Sequence, residues 1–341
     1  MPRPKIILLA LAIATMPAAA LTQISSGNWD AVDAKVRAVC HRLGQPKPPI
    51  ADLPSAAQIK ALKGCDAEKT YYGEGIKVDY LKARQCAFAQ IQNKDDASTF
   101  GGETILMQLY ANGFGVKRDP DLATAYACQI DGSPMENESR VQHLQSLKSK
   151  PGPFDYCDDI GSGLAQGECQ ARRSNQKAAG RDSRLAALIA GFPAASRPLY
   201  TAMKQRFDAF VDAHGGGEVD LTGTARAALV IEEQDRVQNQ FLKDLDRLKS
   251  GQWPAASAND AAMADAQLNT SYRKAMVWAG SKNNFTTTRP DDIRKTQRAW
   301  LTYRDAYLRF ATLAAPGLAR EAVLTRLTRL RTAQLDDLSA T

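Results

Sequence analysis

The chain has 341 residues, 44% of them hydrophobic and 24% charged, and carries a formal charge of +7. That length admits two domains and a sizeable buried core. Basic and acidic residues alternate, as at Arg320-Glu321 and from Arg331 to Asp336. This is the pattern of solvated helix faces, not the dense basic stripe with interleaved aromatics of a nucleic-acid binder.

Residues 1–20 read as an export signal. Arg3 and Lys5 precede an apolar run from Ile6 to Ala14, Pro17 breaks it, and Ala18-Ala19-Ala20 offers a small-residue cleavage site. The run is shorter than the roughly 20 residues that span a bilayer, and no other segment approaches that length. A periplasmic or secreted protein that does not span the membrane is expected. No cysteine stands at the cleavage site, so a lipoprotein anchor is not expected. Removing Arg3 and Lys5 leaves a charge of +5.

All six cysteines follow this segment: Cys40, Cys65, Cys86, Cys128, Cys157 and Cys169. An even count in an oxidising compartment favours disulfides over six buried thiols. No two cysteines stand two to four residues apart, and His41, His143 and His214 are scattered. Neither a zinc site nor a cofactor is expected.

Residues 21–55 read as a short helix and a linker. Trp29, Val32, Val36 and Val39 have helical spacing, and Pro46, Pro48 and Pro49 end the helix. Residues 56–150 contain an internal repeat. Gly73, Gly75, Asp79 and Ala83 recur forty residues later as Gly113, Gly115, Asp119 and Ala123. The glycines supply the positive φ of a tight inter-helix turn. The aspartates can cap the next helix, and the alanines let helices pack closely. Repeated helical pairs of this length mark an α-solenoid. Two copies bury too little alone, so the unit must lean on neighbours or be stapled. Cys65 and Cys86 flank the first turn on two antiparallel helices and are expected to pair. Cys40 remains as a candidate partner for Cys128, a connectivity that spacing leaves open. The stretch from Leu109 to Asp119 resembles a Sel1-like repeat, and the first copy matches less well at Ile76-Lys77-Val78. The resemblance implies a protein-interaction scaffold.

Lys148 to Pro153 is a polar boundary, and residues 151–341 read as a second domain. Helices are expected almost throughout from Asp182. His214-Gly215-Gly216-Gly217 reads as a break, and a long helix then runs to about Ser250, stopped by Gly251-Gln252-Trp253-Pro254. A helix from about Asp260 ends at Lys282-Asn283-Asn284. Thr288 is read as the N-cap of the next helix, with Pro290 in its first turn and Asp291 completing a capping box. Pro316-Gly317 ends that helix, and a final one carries Leu324, Leu327, Leu330 and Leu335. No strand-like alternation appears, so the fold is read as all-α: a short helical-hairpin solenoid followed by a helical bundle.

Asp265, Leu268, Asn269, Tyr272 and Met276 share one helix face, as do Ile293, Gln297, Trp300, Arg304, Leu308 and Ala311 on the next helix. An antiparallel pairing of these helices sets Asp265 against Arg304, with Asn269, Tyr272 and Gln297 completing a polar seam. The seam reads either as a register-fixing network or as a ligand or partner site lined by Arg298, Trp300, Tyr303 and Arg304.

The segments Asp265-x-x-Leu268-Asn269-x-x-Tyr272 and Gln297-Arg298-Ala299-Trp300-Leu301-x-Tyr303-Arg304-Asp305 resemble the lysozyme inhibitor LprI-like family, over about Phe154 to Leu338. The frame of Cys157 and Cys169, with Gln166 and Glu168, resembles that family's opening and implies a Cys157–Cys169 disulfide. In the chain-entropy model this bridge contributes about 3 kcal/mol. Many relatives have a cysteine shortly after the Tyr-Arg-Asp stretch. Here Ala306-Tyr307-Leu308-Arg309-Phe310 stands instead, so Tyr307 and Phe310 must pack in its place.

Three functions follow. An adaptor would use the repeat surface for one protein partner and the LprI-like surface for another. A lysozyme inhibitor would face a strongly basic partner and needs a local acidic patch. Asp155, Asp158 and Asp159 form the compact acidic cluster on a loop, which is otherwise a helix N-terminus or a solvated turn. A cell-envelope enzyme accessory factor is the third reading. Catalysis is not expected. No nucleophile elbow, zinc-protease helix or phosphate loop occurs, Gly161-Ser162-Gly163 reads as a flexible turn, and Glu232, Glu233 and Asp235 read as solvated helix charges.

Overall fold

The computed structural model of the protein describes residues 29–92, 99–161 and 163–340. Residues 1–20, read from the sequence as an export signal, and Ser162 lie outside these. Thirteen α-helices and no strand occur among the described residues, so the fold is all-α. None of these helices is long and apolar enough to cross a membrane. The chain forms two compact units. Of the described residues, those from Trp29 to Ala67 and from Asp79 to Phe154 make one unit, and those from Glu68 to Val78 and from Asp155 to Ala340 make the other.

The first unit holds α1 (Ala34–Leu43) and α2 (Ala56–Ala61). After α3 (Ala67–Tyr72), which falls almost wholly in the second unit, come α4 (Tyr80–Gln92), α5 (Gly102–Asn112), α6 (Pro120–Ala127) and α7 (Pro134–Ser146). Helix starts are written in the sequence. Ser55 with Gln58 and Ser133 with Glu136 form capping boxes. Asp119 accepts from the Leu122 N–H at 2.9 Å, and Asp79 from the Lys82 N–H at 3.0 Å. Gly73, Gly75, Gly113 and Gly115 all have φ between 67° and 75°, so the two repeated turns share one backbone geometry. A Cβ on Gly115 would also come within 3.1 Å of the Tyr80 backbone.

Helix α5 is the centre of this unit. Ile105, Leu106, Met107 and Leu109 are fully buried between α4 and α6. Gly102 opens α5 directly against α4, where a Cβ would sit 2.3 Å from the Ala87 carbonyl oxygen. The linker is fastened at Asp52, which accepts from Arg84 at 2.9 Å and from the Tyr110 hydroxyl at 3.0 Å. Two disulfides staple the unit. Cys40–Cys128 ties α1 to the end of α6, and Cys65–Cys86 ties the residues before α3 to α4.

In the second unit the Cys157–Cys169 disulfide joins a 3-10 turn at Tyr156–Asp159 to the long α8 (Gly163–Ala190). Then follow α9 (Arg197–Gly217), α10 (Arg226–Ser250), α11 (Ala258–Ala279), α12 (Pro290–Ala314) and α13 (Arg320–Ala340). Helix α8 packs on α10, α9 on α10 and α12, and α11 on α13. Aromatic rings fill the core. Phe207 stacks on Phe241 at 4.1 Å, and Tyr303 packs against both Phe207 and Phe210. Tyr307 and Phe310 are fully buried, so aromatic packing holds α12 in the core.

Two local expectations are shifted along the chain. His214-Gly215-Gly216-Gly217 is the last turn of α9, and the break before α10 begins only at Glu218. The glycines serve close approach instead: a Cβ on Gly215 would lie 3.0 Å from the Gln234 side chain of α10, and one on Gly217 3.0 Å from Asp292 of α12. The N-cap of α12 is Arg289, not Thr288. Arg289 N–H donates to Asp292, not Asp291, at 3.0 Å, while the Thr288 N–H is engaged by the Thr286 hydroxyl.

Candidate functional site

The pairing of Asp265 with Arg304 does not form. Helix α11 packs chiefly on α13 and α12 chiefly on α9, so their polar faces are not turned on each other. Asp265 and Asn269 are exposed and bond to one another at 3.0 Å. Arg304 lies over the Trp300 ring at 5.3 Å and pairs with its neighbour Asp305. Tyr272 is half-buried at the edge of the core, and Arg298 is exposed. Trp300 and Tyr303 are core residues, 2% and 5% exposed.

Of the predicted seam, Gln297 alone enters the polar network that the bundle does bury. Its Oε1 accepts from Arg331 Nε at 2.9 Å. Arg331, on α13, donates through Nη2 to Glu218 Oε1 at 2.6 Å and through Nη1 to Oε2 at 2.7 Å. Both side chains are 0% exposed. The same carboxylate meets His214 Nδ1 at 2.7 Å, and His214 Nε2 meets Glu233 Oε1 at 2.5 Å. Arg236 closes the chain on Glu233. With a carboxylate at each ring nitrogen, His214 is held as the imidazolium, donating on both sides.

Glu233 and Asp235 are therefore not solvated charges. Asp235 is buried, accepting from Arg181 at 3.0 Å and Ser174 at 2.8 Å, because α8 covers that side of α10. Sequence reasoning missed His214 and Arg331 as well. Arg331 was legible as a guanidinium within the apolar stripe of Leu324, Leu327 and Leu335, and His214 as one helical turn from Glu218.

Burial works against charge throughout this network, and the partners outweigh it. His214 is raised from 6.5 by Glu218 and Glu233. Glu218 is lowered by Arg331 and His214, and Glu233 is lowered to about 2 by His214 and Arg236. Stability from the charged His214 is complete below pH 6.5 and is lost as pH rises through its raised value. Stability from the two glutamates is complete above pH 4.5 and is lost as pH falls, for Glu233 through about 2. The gap in denaturation midpoint between wild type and His214→Gln should be largest between pH 4.5 and 6.5 and should shrink on both sides. A gap that stays constant with pH would exclude the imidazolium.

Two hollows border the network. An open groove of about 500 Å³ is lined by Asp220, Glu232, Glu233 and Asp337 with the apolar Leu229 and Trp278. Hydrogen bonds from Thr222 and Thr287 lower the Asp220 carboxyl and keep it ionised. A smaller cavity of about 300 Å³ is walled by rings, Trp300 and Tyr303 among them. The acidic cluster near Cys157 is arranged differently. Asp155 accepts from the Cys157 N–H at 2.8 Å and from Arg172 at 3.1 Å, Asp158 lies 3.7 Å from Arg173, and Asp159 is half-buried. Among the described residues no group of three or more His, Cys, Asp or Glu is placed to hold a metal ion.

Residues 250–335 match the family Lysozyme inhibitor LprI. No curated protein and no solved structure matches the chain. The LprI segment takes in α11, α12 and α13 as far as Leu335, and so contains Gln297, Trp300, Tyr303 and Arg331. His214, Glu218 and Glu233 lie outside it, as does the Cys157–Cys169 disulfide. The buried network thus clamps the LprI segment to α9 and α10.

Proposed function

We propose that this protein is exported and acts without catalysis, by binding another protein through its helical surfaces, with a lysozyme as the partner. The match of residues 250–335 to a lysozyme-inhibitor family carries this reading. Three disulfides fit an oxidising, extracytoplasmic compartment. The chain is basic, with a pI near 9.0, so a basic partner needs a local field of opposite sign. Asp155, Asp158 and Asp159 supply it poorly, with Arg172 and Arg173 against them. The groove supplies it better: Asp220, Glu232, Glu233 and Asp337 line it against one arginine, Arg236, and Glu232 and Asp337 are exposed on its rim.

The second reading is an adaptor. In it residues 56–150 act as Sel1-like repeats holding one envelope protein, and residues 151–341 act as the LprI-like domain holding another. The shared geometry of the two glycine turns favours it. The accessory factor of an envelope enzyme is a special case of this reading. The oxidised mature protein, titrated into muramidase assays at low salt, should inhibit at stoichiometric amounts. Glu232→Gln with Asp337→Asn should weaken inhibition by roughly tenfold or more, as loss of rim charges slows encounter. Full muramidase activity at a large molar excess would remove lysozyme as the partner.

A further inference from the structure

The cavity of about 300 Å³ lies among α9, α10, α12 and α13. Phe207, Phe210, Phe241, Trp300, Tyr303 and Leu327 give it an apolar wall. A cavity of about 150 Å³ takes a benzene ring, so this one has room for a two-ring body. It also reaches the lower bound of ordinary ligand pockets, about 300 Å³.

The polar groups at the cavity are unevenly satisfied. Arg331 is consumed by Glu218 and Gln297. Asp244 Oδ1 accepts from Arg326 at 3.2 Å and Arg247 at 3.3 Å. Among the remaining lining residues, Tyr303, Gln240 and Lys243 each offer a donor. Tyr303 is only 5% exposed, and its hydroxyl has no hydrogen-bond partner among the described residues. Gln240 has a buried Nε2 with no acceptor. Lys243 is exposed at the rim with no ion pair among the described residues. Of the three, Gln240 Nε2 is fully buried, and a buried donor without an acceptor is rare in native proteins and calls for a partner. An occupant that brings oxygen acceptors satisfies them, and its apolar body covers the rings.

We propose that this cavity binds a small organic acid, a flat body of one or two rings carrying a carboxylate. The rings take the body, Tyr303 and Gln240 donate to the carboxylate, and Lys243 faces its charge from the rim. The site is independent of the lysozyme reading and stands or falls separately.

The test is isothermal titration of 1-naphthoate into the oxidised mature protein. One saturable site per chain is expected. Tyr303→Phe and Gln240→Leu should each weaken binding by roughly tenfold or more, the loss of one hydrogen bond to a charged group. Leu330→Trp, which fills the cavity, should abolish it. Circular dichroism and the denaturation midpoint confirm that each variant is folded, and Gln240→Leu serves if Tyr303→Phe disturbs the aromatic stack. Absence of saturable binding at millimolar naphthoate would overturn the proposal. So would equal affinity in the wild type and all three variants, which places the probe elsewhere on the surface.

Discussion

Arg331→Met should destabilise the second unit by about 3–5 kcal/mol, the range for breaking one partner out of a buried ion pair. The guanidinium and the Glu218 carboxylate are both 0% exposed, and two short hydrogen bonds join them. Removing Arg331 leaves Glu218 with His214 alone in a space that water does not reach. Gln297 loses its donor in the same step. The second change, Glu218→Gln on top of Arg331→Met, should recover more than half of the loss, since the amide oxygen still accepts from His214 and no unpaired charge remains. Chemical denaturation of the two variants against wild type measures both numbers. A midpoint for Arg331→Met within about 0.5 kcal/mol of wild type, the usual range for surface substitutions, would mean that the pair does not hold the bundle.

The first unit depends on a different device. Cys40 and Cys128 are 88 residues apart in sequence, and their bridge closes the longest loop among the three disulfides. In the chain-entropy model, replacing both by serine costs about 4–5 kcal/mol. The unit has one central helix, α5, and a modest core, so a loss of that size should unfold it well before the second unit. Denaturation followed separately by helix content and by tryptophan fluorescence should split into two transitions. Trp253, Trp278 and Trp300 report on the second unit and Trp29 on the first. An unchanged single transition would show that packing around Ile105 and Leu109 suffices without the bridge.

The all-α class and several helix ends were legible because they rest on local chemistry. Gly251 in a left-handed conformation stops α10, and Asp119 starts α6. The turn glycines were legible for the same reason. The buried network was not, because it is made by residues far apart in the chain. Glu218 and Arg331 are 113 residues apart. The reading of α11 against α12 took neighbours in sequence for neighbours in space, whereas α12 lies on α9 and α11 on α13. Gln297 was found because it sits on the apolar face of α12, and a polar residue there needs a partner whichever helix supplies it. His214 was lost because three following glycines look like a break. In a crowded bundle they are the residues that let α9 approach α10 and α12. The same crowding turned Trp300 and Tyr303 from a supposed open site into the wall of a cavity.

The claim of protein binding is tested most directly by titrating the oxidised mature protein with lysozyme in a calorimeter, at low salt and again near physiological ionic strength. The account predicts one-to-one binding that weakens as salt screens the groove, and that weakens further when Glu232 and Asp337 are neutralised. Absence of heat and of complex at both salt levels, with the protein shown to be folded and all three disulfides closed, would contradict it.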